Sequence, residues 1–167
     1  MAGPLHTPTT RDYASIVRDT AATGDRHTRM HAVTDMLWER LAGLGVSWVG
    51  FYTAAPRDTE MILGPRRDKP ACSPIGLHGA CGRAWTSQKC LVVTDVSRLG
   101  AGYIACDPRD RSEVVIPLFE SDGTCWGVLD VDSHDVAAFT REDATGLVRV
   151  VRAAGLSWRD AEGVEVI

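Results

Sequence analysis

Residues 112–132 constrain the fold more than any other stretch. They read Ser-Glu-Val-Val-Ile-Pro-Leu-Phe, then Glu-Ser-Asp-Gly, then Thr-Cys-Trp-Gly-Val-Leu-Asp-Val-Asp. Two runs rich in β-branched residues, joined by a short segment ending in Asp-Gly, specify an antiparallel hairpin. Such a pair cannot stand alone in water, so the rest of the chain must widen the sheet and cover it. Val46–Thr53, with its Trp, Phe and Tyr, reads as another strand, Glu60–Leu63 as a short return strand, and Cys90–Thr94 as a fifth.

The flanking segments carry helical periodicity. A first helix is expected over about 11–22, with Tyr13, Ile16 and Val17 on one face. A second runs from Arg26 to Leu41, where Met30, Val33, Leu37 and Leu41 form the stripe and Gly43 and Gly45 stop it. A short helix is expected from Ala80 to Gln88. The last begins at Thr140, with Asp143 replacing Glu in a capping box and Phe139 placed to staple onto Ala144. Helices segregated around a mostly antiparallel sheet make an α+β domain. The 167 residues suffice for one such domain. The expected boundaries are a loose lead-in at 1–10, the domain at 11–158 and a tail at 159–167.

Composition removes several function classes. Lys and Arg number 18 against 22 Asp and Glu, a net charge of −4, with no basic stripe of the kind nucleic-acid binding needs. No apolar run approaches the ~20 residues of a membrane span, so no membrane partner is expected. Met1-Ala-Gly-Pro-Leu-His-Thr-Pro8 lacks the pattern of a signal peptide, and a cytoplasmic location is the expectation.

Five cysteines, at 72, 81, 90, 106 and 125, are an odd number for a disulfide scaffold. Inert buried thiols are one reading. Four of the five fall between residues 72 and 106, however, and the gaps of eight, eight and fifteen residues contain none of the close Cys pairs of structural zinc sites. Redox chemistry fits better: it needs an accessible low-pKa thiol, a second thiol within reach and a polar group to assist departure of oxygen. Cys81 opens the expected helix at Ala80, where free N–H groups favour a thiolate. Cys106 closes the long irregular stretch from Val96 to Arg111. Asp130 and Asp132 lie two apart on a strand and share a face, and Glu113 opens the neighbouring strand. Crowding them would raise one pKa and supply a proton donor, whereas apart they are ordinary strand-end residues. Trp48 and Tyr52 also share a face, as core or as pocket wall, with Phe51 on the other.

At these residues the chain resembles the free methionine-(R)-sulfoxide reductases, single-domain proteins of the GAF fold. The resemblance rests on Trp48-Val-Gly-Phe-Tyr52, Leu63-Gly-Pro65, Lys69-Pro-Ala-Cys72, Gly79-Ala-Cys-Gly82, Gly102-Tyr-Ile-Ala-Cys-Asp107, Ser112-Glu113, Gly127-Val-Leu-Asp-Val-Asp-Ser133 and Phe139-Thr-x-Glu-Asp143, spanning about 10–157. The strand motifs are shared by GAF domains at large; the cysteines in their local contexts are the specific part. The resemblance implies a GAF-like domain, with a central sheet of about five or six strands and the N- and C-terminal helices packed on one side.

It further implies reduction of the R sulfoxide of free methionine. Cys106 would attack sulfur and become a sulfenic acid, and Cys72 would resolve it as a disulfide that thioredoxin reduces. Cys81 would be a third redox cysteine, able to relay or substitute. Glu113, Asp130 and Asp132 would hold the sulfoxide oxygen and the ammonium group, and Trp48 and Tyr52 would wall the methyl end. No metal or organic cofactor is implied, and a homodimer through the N-terminal helices would follow the family's tendency.

Tyr103 departs from the family's usual His, the interval from Cys72 to Cys81 is one residue short, and Cys90 and Cys125 have no counterpart. Cys125 is expected in the core, while Cys90, at the start of a strand, is open to exposure. The competing reading is a GAF sensor without catalysis, which binds a small molecule or responds to redox state through the same cysteines. A cyclic-nucleotide GAF domain is disfavoured because the Asn-Lys-Phe-Asp type of motif is missing.

Overall fold

The computed structural model describes residues 10–103 and 106–167. Its elements are α1 (Tyr13–Asp19), α2 (Arg26–Leu41), β1 (Trp48–Thr53), β2 (Glu60–Arg67), β3 (Ile75–Gly76), α3 (Ala80–Ser87), β4 (Cys90–Val93), β5 (Ser112–Phe119), β6 (Cys125–Ser133), α4 (Arg141–Ala153) and β7 (Val164–Val166). The strands form one sheet in the order β3-β2-β1-β6-β5-β4-β7, antiparallel except where β7 joins β4. The architecture is α+β, as expected, with seven strands where five or six were anticipated.

The central hairpin forms as read, β5 pairing β6 from Ser112 with Ser133 to Phe119 with Cys125. β1 lies on the far side of β6, with Trp48 opposite Asp132 and Tyr52 opposite Val128. Alternation along β1 then sorts its side chains. Val49 and Phe51 enter a core shared with α1, α2 and α4, while Trp48 and Tyr52 enter a second cluster under α3. Leu37, Leu41, Phe51, Ile116, Leu129 and Leu147 are almost fully buried in the first core. Each contributes about 1.5–3 kcal/mol by leaving water.

The helix termini follow local chemistry. Asp12 and Asp25 cap α1 and α2 by accepting from the Ser15 and Thr28 amides at 3.0 and 2.8 Å. α4 starts at the expected Thr140 and Asp143 capping box. Asp143 also receives Arg11 at 2.9 Å and the Tyr13 hydroxyl at 2.7 Å, so this one carboxylate fastens the start of the domain to α4. α1 is shorter than expected because the chain turns extended at Thr20.

Two expectations are corrected. Residues 159–167, anticipated as a tail, carry β7, and the Ile167 carbonyl accepts from Thr94 at 2.8 Å. β2 continues past Leu63 through Gly64 and Pro65 to Arg67, because pairing with β1 supplies what local propensity does not. Among the described residues, no helix is long and apolar enough to cross a membrane.

Candidate active site

The second face of the sheet, opposite α1, α2 and α4, holds a cavity of about 60 Å³. It has room for roughly four waters at 10–15 Å³ each. Trp48, Tyr52, Cys81, Cys106, Glu113, Asp130 and Asp132 line it, with Tyr103, Asp110 and the Ala71–Gly76 segment completing the wall. Every expected site residue except Cys72 therefore borders one space, and Cys72 reaches that space through its disulfide to Cys106.

The sheet register makes the acidic floor. Glu113 stands opposite Asp132, and Asp130 is opposite Val115 on one side and Gly50 on the other. The three side chains emerge from the same face, with one oxygen from each lying within 4.8 Å of the others. Glu113 is 4% exposed and Asp130 6%, so both carboxyls have left bulk water. Burial, followed by the neighbouring Asp130, drives Glu113 well above the usual carboxylate range. Burial and the same neighbour raise Asp132 likewise. Burial lifts Asp130 to about 6, partly offset by the Cys81 thiol and Glu113 as hydrogen-bond partners. The trio is thereby biased toward the protonated form, with Asp130 the first to release its proton. Among the described residues, Glu113 Oε1 and Asp130 Oδ1 are buried without a hydrogen-bond partner, which leaves them open to a ligand's donors.

Cys81 lies in the first turn of α3, and its thiol donates to Asp130 Oδ2 at 3.4 Å. The sequence expectation of a lowered pKa there is corrected. Burial first, then Asp130, Glu113 and Asp132, pushes this thiol well up, outweighing the helix terminus. Cys81 is a protonated donor in this arrangement.

Trp48 and Tyr52 do more than wall the cavity. The Trp48 indole N–H donates to the Lys69 carbonyl at 2.9 Å, and the Tyr52 hydroxyl donates to the Cys72 carbonyl at 2.9 Å. Ser73 Oγ accepts from the Leu63 amide at 3.1 Å. The segment carrying Cys72 is thereby laid against β1 and β2, with its sulfur bonded to Cys106 across 34 positions of sequence. The shortened interval between Cys72 and Cys81 leaves Cys72 able to reach Cys106. Gly50 lets the Trp48 indole fold over the sheet, since a Cβ there would meet the ring at 2.2 Å.

The other two cysteines stand apart. Cys90 is 1% exposed in the helix-side core and burial lifts its thiol to about 12, correcting the expectation that it was open to solvent. Cys125 is buried at the start of β6, as expected of a core residue.

Sequence reasoning missed Asp110, which is 8% exposed and lines the cavity. Burial, then Asp107, raises its pKa. Its place in Cys106-Asp-Pro-Arg-Asp110, just ahead of the Glu113 strand, was the available signal. Asp107 instead accepts from Arg109 and Lys69, which hold its carboxyl well below the usual range. The side chains of Asp107, Asp110 and His134 also converge within 4.8 Å. The cavity trio could accept a hard cation or a ligand's ammonium group.

A mixed sheet with α1, α2 and α4 on one face and an acidic, thiol-edged cavity beside α3 on the other fits a GAF scaffold, and the GAF domain family model matches residues 24–157. The free methionine-R-sulfoxide reductase of Escherichia coli is 36% identical over 148 residues, 85% of this chain and 86% of that protein. The Saccharomyces cerevisiae protein of the same name is 35% identical over 123 residues, 71% and 68% respectively. The crystal structure of free methionine-R-sulfoxide reductase from Neisseria meningitidis in complex with its substrate superposes with a TM-score of 0.72 at 36% identity, covering 85% of this chain and 81% of that one. The chain belongs to the free methionine-R-sulfoxide reductase family of GAF-domain proteins.

Proposed function

We propose that this protein is an oxidoreductase that reduces the R sulfoxide of free methionine to methionine. The observation that carries the reading is the Cys72–Cys106 disulfide set over a cavity floored by three carboxyls, two of them buried. A substrate with an ammonium group at one end and a polar S–O bond at the other matches that floor. A free amino acid is the favoured substrate, because the carboxyl floor can receive its ammonium group and a methionine inside a peptide has none.

The steps balance as two-electron chemistry. The Cys106 thiolate attacks the sulfoxide sulfur, oxygen passes to Cys106 as a sulfenic acid, and methionine leaves reduced. Oxygen departs from sulfur only when protonated or strongly hydrogen-bonded, and Glu113, kept protonated by burial and Asp130, supplies that proton. Asp130 and Asp132 receive the ammonium group, and Trp48 and Tyr52 enclose the methyl end. Cys72 then displaces water from the sulfenic acid, giving the disulfide. Cys81, held to Asp130, acts as a donor that orients the carboxyl; this replaces the sequence-based role of a redox relay.

The disulfide returns to dithiol through thioredoxin, and that need places the work in a reducing compartment, the cytoplasm. A homodimer formed through α1 and α2 belongs to the same reading. A sensor that only binds a small molecule would have no use for the disulfide, and a redox sensor would form it without releasing methionine.

The direct test is incubation of the reduced protein with free methionine (R)-sulfoxide and dithiothreitol, with methionine measured. The expected result is continuous methionine production, with the S epimer untouched. No methionine above the no-enzyme control, with thiols verified reduced, sinks the proposal.

A further inference from the structure

The two sulfurs of the disulfide are not equivalent to an incoming thiol. Cys106 is exposed, whereas Cys72 is half-buried and its segment is pinned through Lys69, Cys72 and Ser73 to β1 and β2. Both concavities beside the disulfide touch Cys106 and neither touches Cys72. The inner one is the substrate cavity. The outer is a groove of about 190 Å³ lined by Lys69, Pro70, Pro108 and Arg109, and it adjoins the substrate cavity, with which it shares Cys106 and Asp132. Arg109 projects from its rim with a 66% exposed side chain.

From this geometry we infer that the reductant is a dithiol protein that docks on the outer groove and attacks Cys106 Sγ, not Cys72 Sγ. The inference rests on the reductase reading and names the recycling step of the same site. The partner's thiolate forms a bond to Cys106 Sγ, the Cys72–Cys106 bond breaks, and Cys72 leaves with the electron pair and takes a proton from water. The partner's second thiol then attacks its own bonded sulfur, releasing Cys106 as thiolate and leaving the partner as a disulfide. Two electrons pass from partner to enzyme. Access decides which sulfur is attacked when the two ends of a disulfide differ this much in exposure.

One consequence is kinetic. While the partner is bonded to Cys106, the nucleophile is blocked, so substrate cannot enter the cycle until the second thiol acts. Recycling and reduction are then strictly alternating.

The test uses the whole protein, oxidised in parallel by one equivalent of methionine sulfoxide and by diamide. Peptide mapping first checks for the Cys72–Cys106 link. Its absence in the sulfoxide sample alone counts against the reductase reading and leaves the recycling step testable on the diamide sample. A thioredoxin-type protein whose second cysteine is replaced by Ser is then added, and the mixture is acid-quenched, alkylated and digested with trypsin. Cys106 lies in peptide 99–109, while Cys72 lies with Cys81 in peptide 68–83. The expected result is the partner on 99–109; a majority on 68–83 overturns the inference. Arg109→Ala supplies the second readout. It should slow turnover driven by the dithiol protein about tenfold, the size of an interface anchor, and leave turnover driven by dithiothreitol unchanged. Equal slowing with both reductants, or with neither, overturns the outer groove as the docking site.

Discussion

Glu113 and Asp132 stand directly opposite each other across β5 and β6, two acidic side chains paired on the cavity face of the sheet. Like charges in that position oppose sheet formation, and here Asp130 adds a third. The protein accommodates them by keeping protons on the group, at some cost in stability when those protons are lost.

That cost has a definite sign. The folded state holds Glu113, Asp132 and Asp130 above their ordinary values, Asp130 at about 6, so it binds more protons than the unfolded chain. Stability contributed by these groups is present below the unfolded carboxylate range and falls as pH rises through about 4 to above 6. The slope is about 1.4 kcal/mol per pH unit for each extra proton. Urea denaturation from pH 5 to 8 should show this decline in the reduced protein. Glu113→Gln should flatten it, and an unchanged slope in the variant would remove Glu113 from the proton inventory.

The same substitution should lower kcat by about 100-fold or more, the range for loss of a general acid, with a smaller change in KM. Steady-state rates with dithiothreitol measure both. A loss confined to KM would make Glu113 a binding group only.

The thiols separate by role. Cys106→Ser should abolish methionine formation. Cys72→Ser should yield about one methionine per chain in a single burst, because the sulfenic acid forms but is not resolved. Cys81→Ser should keep multiple turnover with dithiothreitol, slowed by about tenfold or less, since Ser can still donate to Asp130. A Cys81→Ser protein that stalls after one turnover would restore the relay role to Cys81.

Gly50→Ala should push the Trp48 indole off the sheet. The clash at 2.2 Å has no flexible side chain to absorb it, and overpacking of this kind costs about 1–3 kcal/mol. The expected result is a lower denaturation midpoint together with a raised KM. A wild-type KM in a destabilised variant would separate Trp48 packing from substrate binding.

Away from the site, Asp143→Ala should cost about 3 kcal/mol, because it leaves the Arg11 charge without its carboxylate, held only by the Leu44 and Ala138 carbonyls, and releases the Tyr13 hydroxyl. Denaturant midpoints measure the loss, and kcat of the folded enzyme should not change.

These contrasts also mark how much was legible in the residues. The Thr140–Asp143 box and the Asp-Gly hairpin announced themselves because their chemistry is local. β3 and β7 did not, since two and three residues carry no period and exist only through pairing with β2 and β4. The grouping of Asp130 with Asp132 follows from alternation, but the placement of Glu113 against them depends on register, which a sequence does not display. Cys81 was misread for a similar reason: a helix terminus is visible in sequence, whereas burial against three carboxyls is not. The Cys72–Cys106 pairing was implied only by family resemblance, because nothing local joins positions 34 apart.

Trp48 and Tyr52 each face the substrate cavity with a ring and hold the Cys72 segment with a polar tip. On the proposed function, substrate preference and reach of the resolving thiol would both depend on these two side chains. A mutation that reshapes the pocket for a larger sulfoxide would also loosen the segment that ends the catalytic cycle. A change in specificity is expected to arrive instead at Ala80, which lines the cavity from α3 and belongs to neither segment that carries the redox clasp.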